Sequence, residues 1–153
     1  MRIRVIWIAR TDRGFVQDGV AHYLTRVRRT WDVQEVVVAE EGRGDAAHQQ
    51  RVEGERLLAV LQPGERVVVL DERGKGLGSV EFADRLGRWR DQGVRQVAFV
   101  VGGSYGLSDA VRQRADLLLS LSPMTFPHQL VRLLFAEQLY RAVSILGGTA
   151  YHH

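Results

Sequence analysis

Three stretches of this chain combine residue types that can hold a ligand or handle a proton. They are Leu70-Asp71-Glu72-Arg73-Gly74-Lys75, Val101-Gly102-Gly103-Ser104-Tyr105-Gly106-Leu107 and Leu121-Ser122-Pro123-Met124-Thr125-Phe126-Pro127-His128. Glycines such as Gly102 and Gly103 let backbone approach a ligand closely or turn with positive φ. Pro123 and Pro127 fix φ and push the residues before them out of helical geometry. Met124, Thr125 and Phe126 therefore lie in a stiff, extended loop of apolar and small polar groups. Such a loop suits an adenine ring, with loop amides and carbonyls reading its edge. The same residues also serve plainer ends: a strand-to-helix turn capped by Ser108, and a helix that opens on Pro127.

Further along, His128 and Arg132 stand four residues apart, next to the proline loop. On a helix they share a face, and together they could meet an anionic substrate or simply solvate a surface. Glu137 and Arg141 repeat that spacing and make a structural ion pair equally well. The tail Tyr151-His152-His153 offers an aromatic ring for stacking and imidazoles that titrate near neutral pH, although a short tail ordinarily frays.

Several chemistries are excluded. Gly102, Gly103 and Gly106 give GGxxG, not the GxGxxG of a dinucleotide site, and they follow a late strand instead of the first. Gly74-Lys75-Gly76 lacks the glycine spacing and following hydroxyl of a phosphate-binding P-loop. The chain has no cysteine, which rules out disulfides and thiolate metal sites. Its histidines show no zinc spacing with supporting carboxylates, so no metal is expected.

The elements that must position these residues alternate strand and helix. Apolar runs predict strands at Arg2 to Ala9, Val33 to Ala39, Arg66 to Asp71, Gln96 to Val101 and Leu117 to Leu121. Helical spacing predicts helices over Gly14 to Arg29, Asp45 to Leu61, Val80 to Gln92 with Ser79 as cap, Ser108 to Ala115, and His128 to Leu146. Glu72 to Gly78, with three glycines, reads as a loop. Repeated βα units imply a mostly parallel sheet flanked by helices. In such open sheets, ligands bind beyond the carboxyl ends of the strands. All three stretches lie at those ends. The last helix is apolar around most of its circumference, which implies burial against a second subunit as well as the home sheet.

The length, 153 residues, favours one domain spanning 1–153. The first apolar run, Val5 to Ala9, is too short for a signal-peptide core. No stretch approaches the roughly 20 apolar residues that span a bilayer. The expected setting is therefore the cytoplasm, with no membrane partner. The formal charge is +3 with a sequence pI of about 9.8, and Lys75 is the only lysine. Arginine suits phosphate recognition because its planar fork donates two parallel hydrogen bonds. An RNA partner is permitted but not required by that composition.

Taken together, the stretch from Val100 to Ser108, that from Leu119 to Arg132, Glu137-Gln138-Leu139-Tyr140-Arg141-Ala142 and the closing Tyr151-His152 resemble the RlmH family. These are SPOUT-class methyltransferases of bacterial large-subunit ribosomal RNA. Order, spacing and length match over essentially the whole chain, and the block from Phe126 to Arg141 is the most specific part. The resemblance implies an α/β SPOUT fold whose C-terminal part threads a trefoil knot, and a homodimer. It implies S-adenosyl-L-methionine as cofactor, held by Leu70, Gly102, Gly103 and the loop Leu121, Ser122, Pro123, Met124, Thr125, Phe126. It implies methylation of N3 of a pseudouridine in large-subunit rRNA within the assembled ribosome. His128, Arg132, Tyr151 and His152 are the candidates for RNA positioning and proton handling. One departure stands out. Many family members end Tyr-His followed by Arg or Lys, whereas this chain ends His152-His153. A catalytically impaired ribosome-binding homologue is the alternative that this departure raises.

Overall fold

A computed structural model describes residues 1–153. Five strands and five helices alternate: β1 (Arg2–Ile8), α1 (Phe15–Val27), β2 (Asp32–Val38), α2 (Ala46–Val60), β3 (Arg66–Gly76), α3 (Ser79–Asp91), β4 (Gln96–Val101), α4 (Asp109–Arg114), β5 (Leu117–Ser120) and α5 (His128–Leu146). The strands form one sheet in the order β2-β1-β4-β3-β5, and every pairing is parallel.

Strand side chains alternate between two cores, as the period-two geometry of a strand demands. Ile3, Val5, Trp7, Val68, Leu70, Val97, Phe99 and Val101 face the larger core, with Leu24 of α1, Leu86 of α3 and Phe135 of α5. Ile6, Ile8, Val67, Val69, Ala98 and Val100 face the smaller one, with Leu57 of α2 and Val111 of α4. Burial on both faces is why these strands read as unbroken apolar runs. Phe135 and Leu139 are fully buried, each worth roughly 1.5–3 kcal/mol in transfer free energy. Side by side with α5 run α1, whose Gly19 lies against Leu133, and α3, whose Gly87 lies against Leu146. No helix is long and apolar enough to cross a membrane.

The strand-and-helix order expected from sequence is present throughout. Two local readings need correction. Glu72 to Gly78 is not wholly a loop, because β3 continues to Gly76 after an excursion. Leu70 and Lys75 both pair with Leu119, so residues 71–74 bulge out of the ladder between them. Gly74 makes this possible: a Cβ there would sit 2.6 Å from the Leu118 carbonyl carbon. Charged residues and three glycines hid the resumed pairing from a pattern reading. Ser79 does not cap α3 either. Gly78 occupies the N-cap position, and the Ser79 hydroxyl instead donates to Gln138 Oε1 at 2.6 Å, joining α3 to α5.

Candidate active site

Beyond the carboxyl ends of β3, β4 and β5 lies a cleft of about 540 Å³. All three stretches singled out from sequence line it. Leu70 and Asp71 come from the end of regular β3 pairing, Gly102 to Leu107 from the β4–α4 loop, and Leu121, Ser122, Met124, Thr125, Phe126 and Pro127 from the β5–α5 loop. Of the expected cofactor residues only Pro123 does not face it; its part is to stiffen the loop between two that do.

Local bonds fix the walls. The Gly103 and Gly106 backbones bridge each other, closing a tight turn with Gly106 at φ 78°. The Gln50 side chain of α2 donates to the Tyr105 carbonyl at 3.1 Å. A Cβ on Gly102 would meet Leu107 at 2.8 Å, so glycine is needed there for packing. Across the cleft, Ser122 Oγ accepts the Met124 amide at 2.9 Å. Thr125 Oγ1 donates to Glu72 Oε2 at 3.3 Å, which ties the β5–α5 loop to the β3 excursion. The lining is apolar at Leu70, Val101, Leu119, Leu121 and Phe126, with small hydroxyls between. A flat heterocycle with a polar edge fits that mixture.

Arg112 of α4 lies outside the three stretches, yet it reaches the cleft and pairs with Asp71 of the first. Their ion pair lies at the cleft, with Arg112 Nε donating to Asp71 Oδ2. Burial by itself raises the Asp71 carboxyl. The Arg112 and Arg73 hydrogen bonds and the charges of both arginines outweigh it and hold the group below its ordinary value. Arg112 is raised in turn, first by that hydrogen bond. Only a pair of opposite charges at a strand end hinted at this, forty-one positions apart in the chain.

The four candidate catalytic residues separate into three places. His128 opens α5 and lines the cleft, with Nδ1 3.5 Å from Ser104 Oγ. Arg132, one turn on, does not share that exposure. It is fully buried and points to the end of β1. Its Nη1 donates to the Ala9 carbonyl at 2.9 Å and to Thr11 Oγ1 at 3.1 Å, its Nη2 donates to the Ile8 carbonyl, and its Cζ lies 5.2 Å from the Trp7 ring centroid. Ala9 has φ 61°, a left-handed conformation that a non-glycine residue keeps only when its surroundings hold it. Burial pushes the Arg132 guanidinium down, against the charges of Asp12 and Glu40.

Tyr151 and His152 fold back along α5, away from the cleft of their own chain. The Tyr151 hydroxyl donates to Glu137 Oε1 at 3.0 Å, and its ring centroid lies 4.6 Å from that of Tyr140. Arg141 pairs with Glu137, stands 4.9 Å from the Tyr151 ring centroid, and donates to His152 Nδ1 at 3.1 Å. Desolvation, with hydrogen bonds to Tyr23 and Glu137, raises the Tyr151 phenol well above its ordinary value. No group of three or more His, Cys, Asp or Glu is placed to hold a metal ion.

The model of the family described as "Predicted SPOUT methyltransferase" matches residues 1–152. The chain belongs to the SPOUT methyltransferase family. This SPOUT methyltransferase is 44% identical to a protein of Trichlorobacter lovleyi named "Ribosomal RNA large subunit methyltransferase H", over 153 residues and the whole of both chains. It is 44% identical to the protein of that name from Geobacter sulfurreducens, again over the whole of both chains. With that of Nitratidesulfovibrio vulgaris it shares 46%, over 99% of this chain and 98% of the relative. Among solved structures, a probable methyltransferase from Bordetella pertussis superposes with a TM-score of 0.61 at 20% identity, covering 93% of this chain and 96% of that one. A probable methylase family protein from Haemophilus influenzae gives 0.60 at 13% identity, covering 99% and 70%. At those identities the two structures speak for the SPOUT fold alone.

Proposed function

We propose that this chain methylates N3 of a pseudouridine in large-subunit ribosomal RNA, with S-adenosylmethionine as donor and the assembled bacterial ribosome as substrate. The observation that carries the reading is the convergence of three separate strand ends on one cleft with His128 at its mouth. The names of relatives at 44–46% identity over nearly the full length support the RNA substrate.

The residues present fit the cofactor. Leu70, Gly102, Gly103 and Leu121 to Phe126 would hold it, with the apolar lining taking the adenine. A Cβ would meet Leu107 at 2.8 Å on Gly102 and press on Ile8 at 3.1 Å on Gly103, so both positions favour bare backbone. When bound, S-adenosylmethionine supplies a methyl group on a sulfonium whose charge favours an anion forming beside it. The acceptor N3–H is a poor nucleophile until its proton departs, so a base or a hydrogen-bonded route must receive it. His128 is the one imidazole at the cleft and takes that part in this proposal, with Ser104 orienting its ring. Arg132 holds the β1–α1 loop in place behind it and leaves the RNA untouched. Much of the rate gain comes from alignment of donor and acceptor within a walled cleft.

The proposal includes a homodimer and a knot. Leu130 and Leu134 stay partly exposed on α5 and do not join either core. They make a stripe that continues into Glu137 and Arg141, where the tail is docked. A second copy covering that stripe brings Tyr151 and His152 towards its own cleft. The knot rests on membership of the SPOUT methyltransferase family alone.

The test is transfer of labelled methyl from S-adenosylmethionine to ribosomes lacking the modification, with the nucleoside identified by mass spectrometry. The expected product carries one methyl on N3 of a single large-subunit pseudouridine. No transfer despite cofactor binding would leave a ribosome-binding homologue; no cofactor binding would overturn the reading.

A further inference from the structure

A second concavity, of about 250 Å³, lies at the opposite end of α5 from the cleft. Arg26 and Arg29, around the end of α1, and Arg90, in the last turn of α3, line it. No aspartate or glutamate lines it. Arg29 forms no ion pair. Arg26 donates only to the His22 carbonyl of its own helix, and Arg90 pairs only with its neighbour Asp91 through Nε. Of the seventeen arginines outside this hollow nine form ion pairs, as Arg4 does with Glu65 and Arg112 with Asp71.

Arg26 and Arg90 also complement the carbonyl ends of their helices, which is an ordinary use of a cation. Arg29 lies past the end of α1 and is exposed, so that use does not account for it. Three guanidinium groups around one hollow with no carboxylate make a site for an anion, and their planar forks match phosphate oxygens. The hollow is too small to enclose a nucleotide. It suits one phosphate of a longer strand that passes over the surface.

We propose that Arg26, Arg29 and Arg90 bind a phosphodiester of the RNA substrate, one helix-length from the methyl-transfer cleft. The inference rests on the reading that the substrate is ribosomal RNA. The 19 residues of α5 set the spacing at about 28 Å, from a rise of about 1.5 Å per residue. A contact so far from the reacting base reads the shape of a folded RNA and supplies affinity without sequence readout.

The experiment compares the full chain with its Arg26→Gln/Arg29→Gln/Arg90→Gln variant and with Arg29→Gln alone. Binding to large-subunit rRNA is measured over a salt series, cofactor affinity by calorimetry, and methyl transfer over a range of ribosome concentrations. The triple variant should keep cofactor affinity and kcat. It should raise KM for ribosomes about tenfold, and its slope of log K against log salt should be shallower by roughly 0.7–0.9, the contribution of the one phosphate contact that is lost. Arg29→Gln alone, at an exposed and unpaired position, should lower the slope by part of that amount and raise KM in the same direction, a readout that holds even if the triple variant does not fold. Unchanged slope and KM would overturn the site. If the unaltered chain methylates no ribosome yet shows the arginine-dependent slope, the functional reading fails and the phosphate site stands. The reverse pattern sinks the site and leaves the function.

Discussion

Asp71 and Arg112 join the β3 excursion to α4 at the wall of the cleft. Arg112 Nε donates to Asp71 Oδ2, while Asp71 Oδ1 accepts the Arg73 amide at 2.9 Å. Both carboxylate oxygens are thus committed to holding the bulge that leads into Gly74. Asp71→Asn keeps the shape and removes the charge. It should weaken cofactor binding about tenfold by loosening that wall, with kcat at saturating cofactor changed much less. The magnitude corresponds to one hydrogen bond to a charged group, about 1.5 kcal/mol. Calorimetric titration of cofactor into the variant decides it; full affinity would show that the wall needs no ion pair.

The same pair gives a pH signature. The Asp71 carboxyl is held below its ordinary value in the folded chain. Its contribution is therefore complete above the unfolded carboxylate range, about 3.9, and is lost as pH falls through the lower folded value. Thermal unfolding of the native chain and Asp71→Asn should differ near neutral pH, begin to approach each other below about pH 4 and converge only below the lower folded value. A gap that persists in acid would mean the stabilisation comes from somewhere other than this carboxylate.

Arg132 separates a structural from an RNA-binding role. With three bonds to the end of β1 and its loop and no exposure, its removal strands buried carbonyls, each costing about 1–3 kcal/mol. Arg132→Met should lower stability by roughly 3 kcal/mol on that basis. Denaturant midpoints should fall, and the surviving folded fraction should bind ribosomes normally. Intact stability with weaker ribosome binding would put the guanidinium on the RNA after all.

How far this was readable beforehand follows from what each residue depends on. Strands such as Val67 to Leu70 and Gln96 to Val101 were legible because double-sided burial writes itself as a continuous apolar run. The cleft was legible because glycine and proline are local signals at strand ends. The burial of Arg132 was not legible because i,i+4 spacing gives a shared face but not which way that face turns. Only the partner strand, in this case β1 some 124 positions away, decides it. The resumed pairing at Lys75 and Gly76 was invisible for a similar reason: it belongs to Leu119 and Ser120 as much as to β3 itself.

A buried ion pair at the other end of the sheet provides a contrast. Arg4 Nη1 donates to both oxygens of Glu65, at 2.9 and 3.0 Å, and both side chains are almost wholly buried. Glu65→Ala leaves an uncompensated guanidinium beneath β1, a loss of roughly 3–5 kcal/mol. Yet the site lies far from the carboxyl ends of the strands. Chemical denaturation should show the loss, while cofactor affinity of the folded protein stays within about twofold. A parallel fall in affinity would mean that the sheet transmits strain between its two ends.

The tail should matter to turnover and little to cofactor binding. Tyr151 and His152 sit on Glu137 and Arg141, not in the cleft of their own chain. Deletion of residues 151–153 should therefore leave cofactor affinity intact. If a second copy receives this tail at its cleft, turnover on ribosomes falls by about 10²–10⁴, the usual weight of a positioned proton-handling group. Mixing the truncated chain with a cleft-dead His128→Ala chain then discriminates further. A mixed dimer has one intact cleft served by one intact tail, so activity should return on mixing. Turnover unchanged by the deletion, or no recovery in the mixture, would confine catalysis to the residues of a single chain.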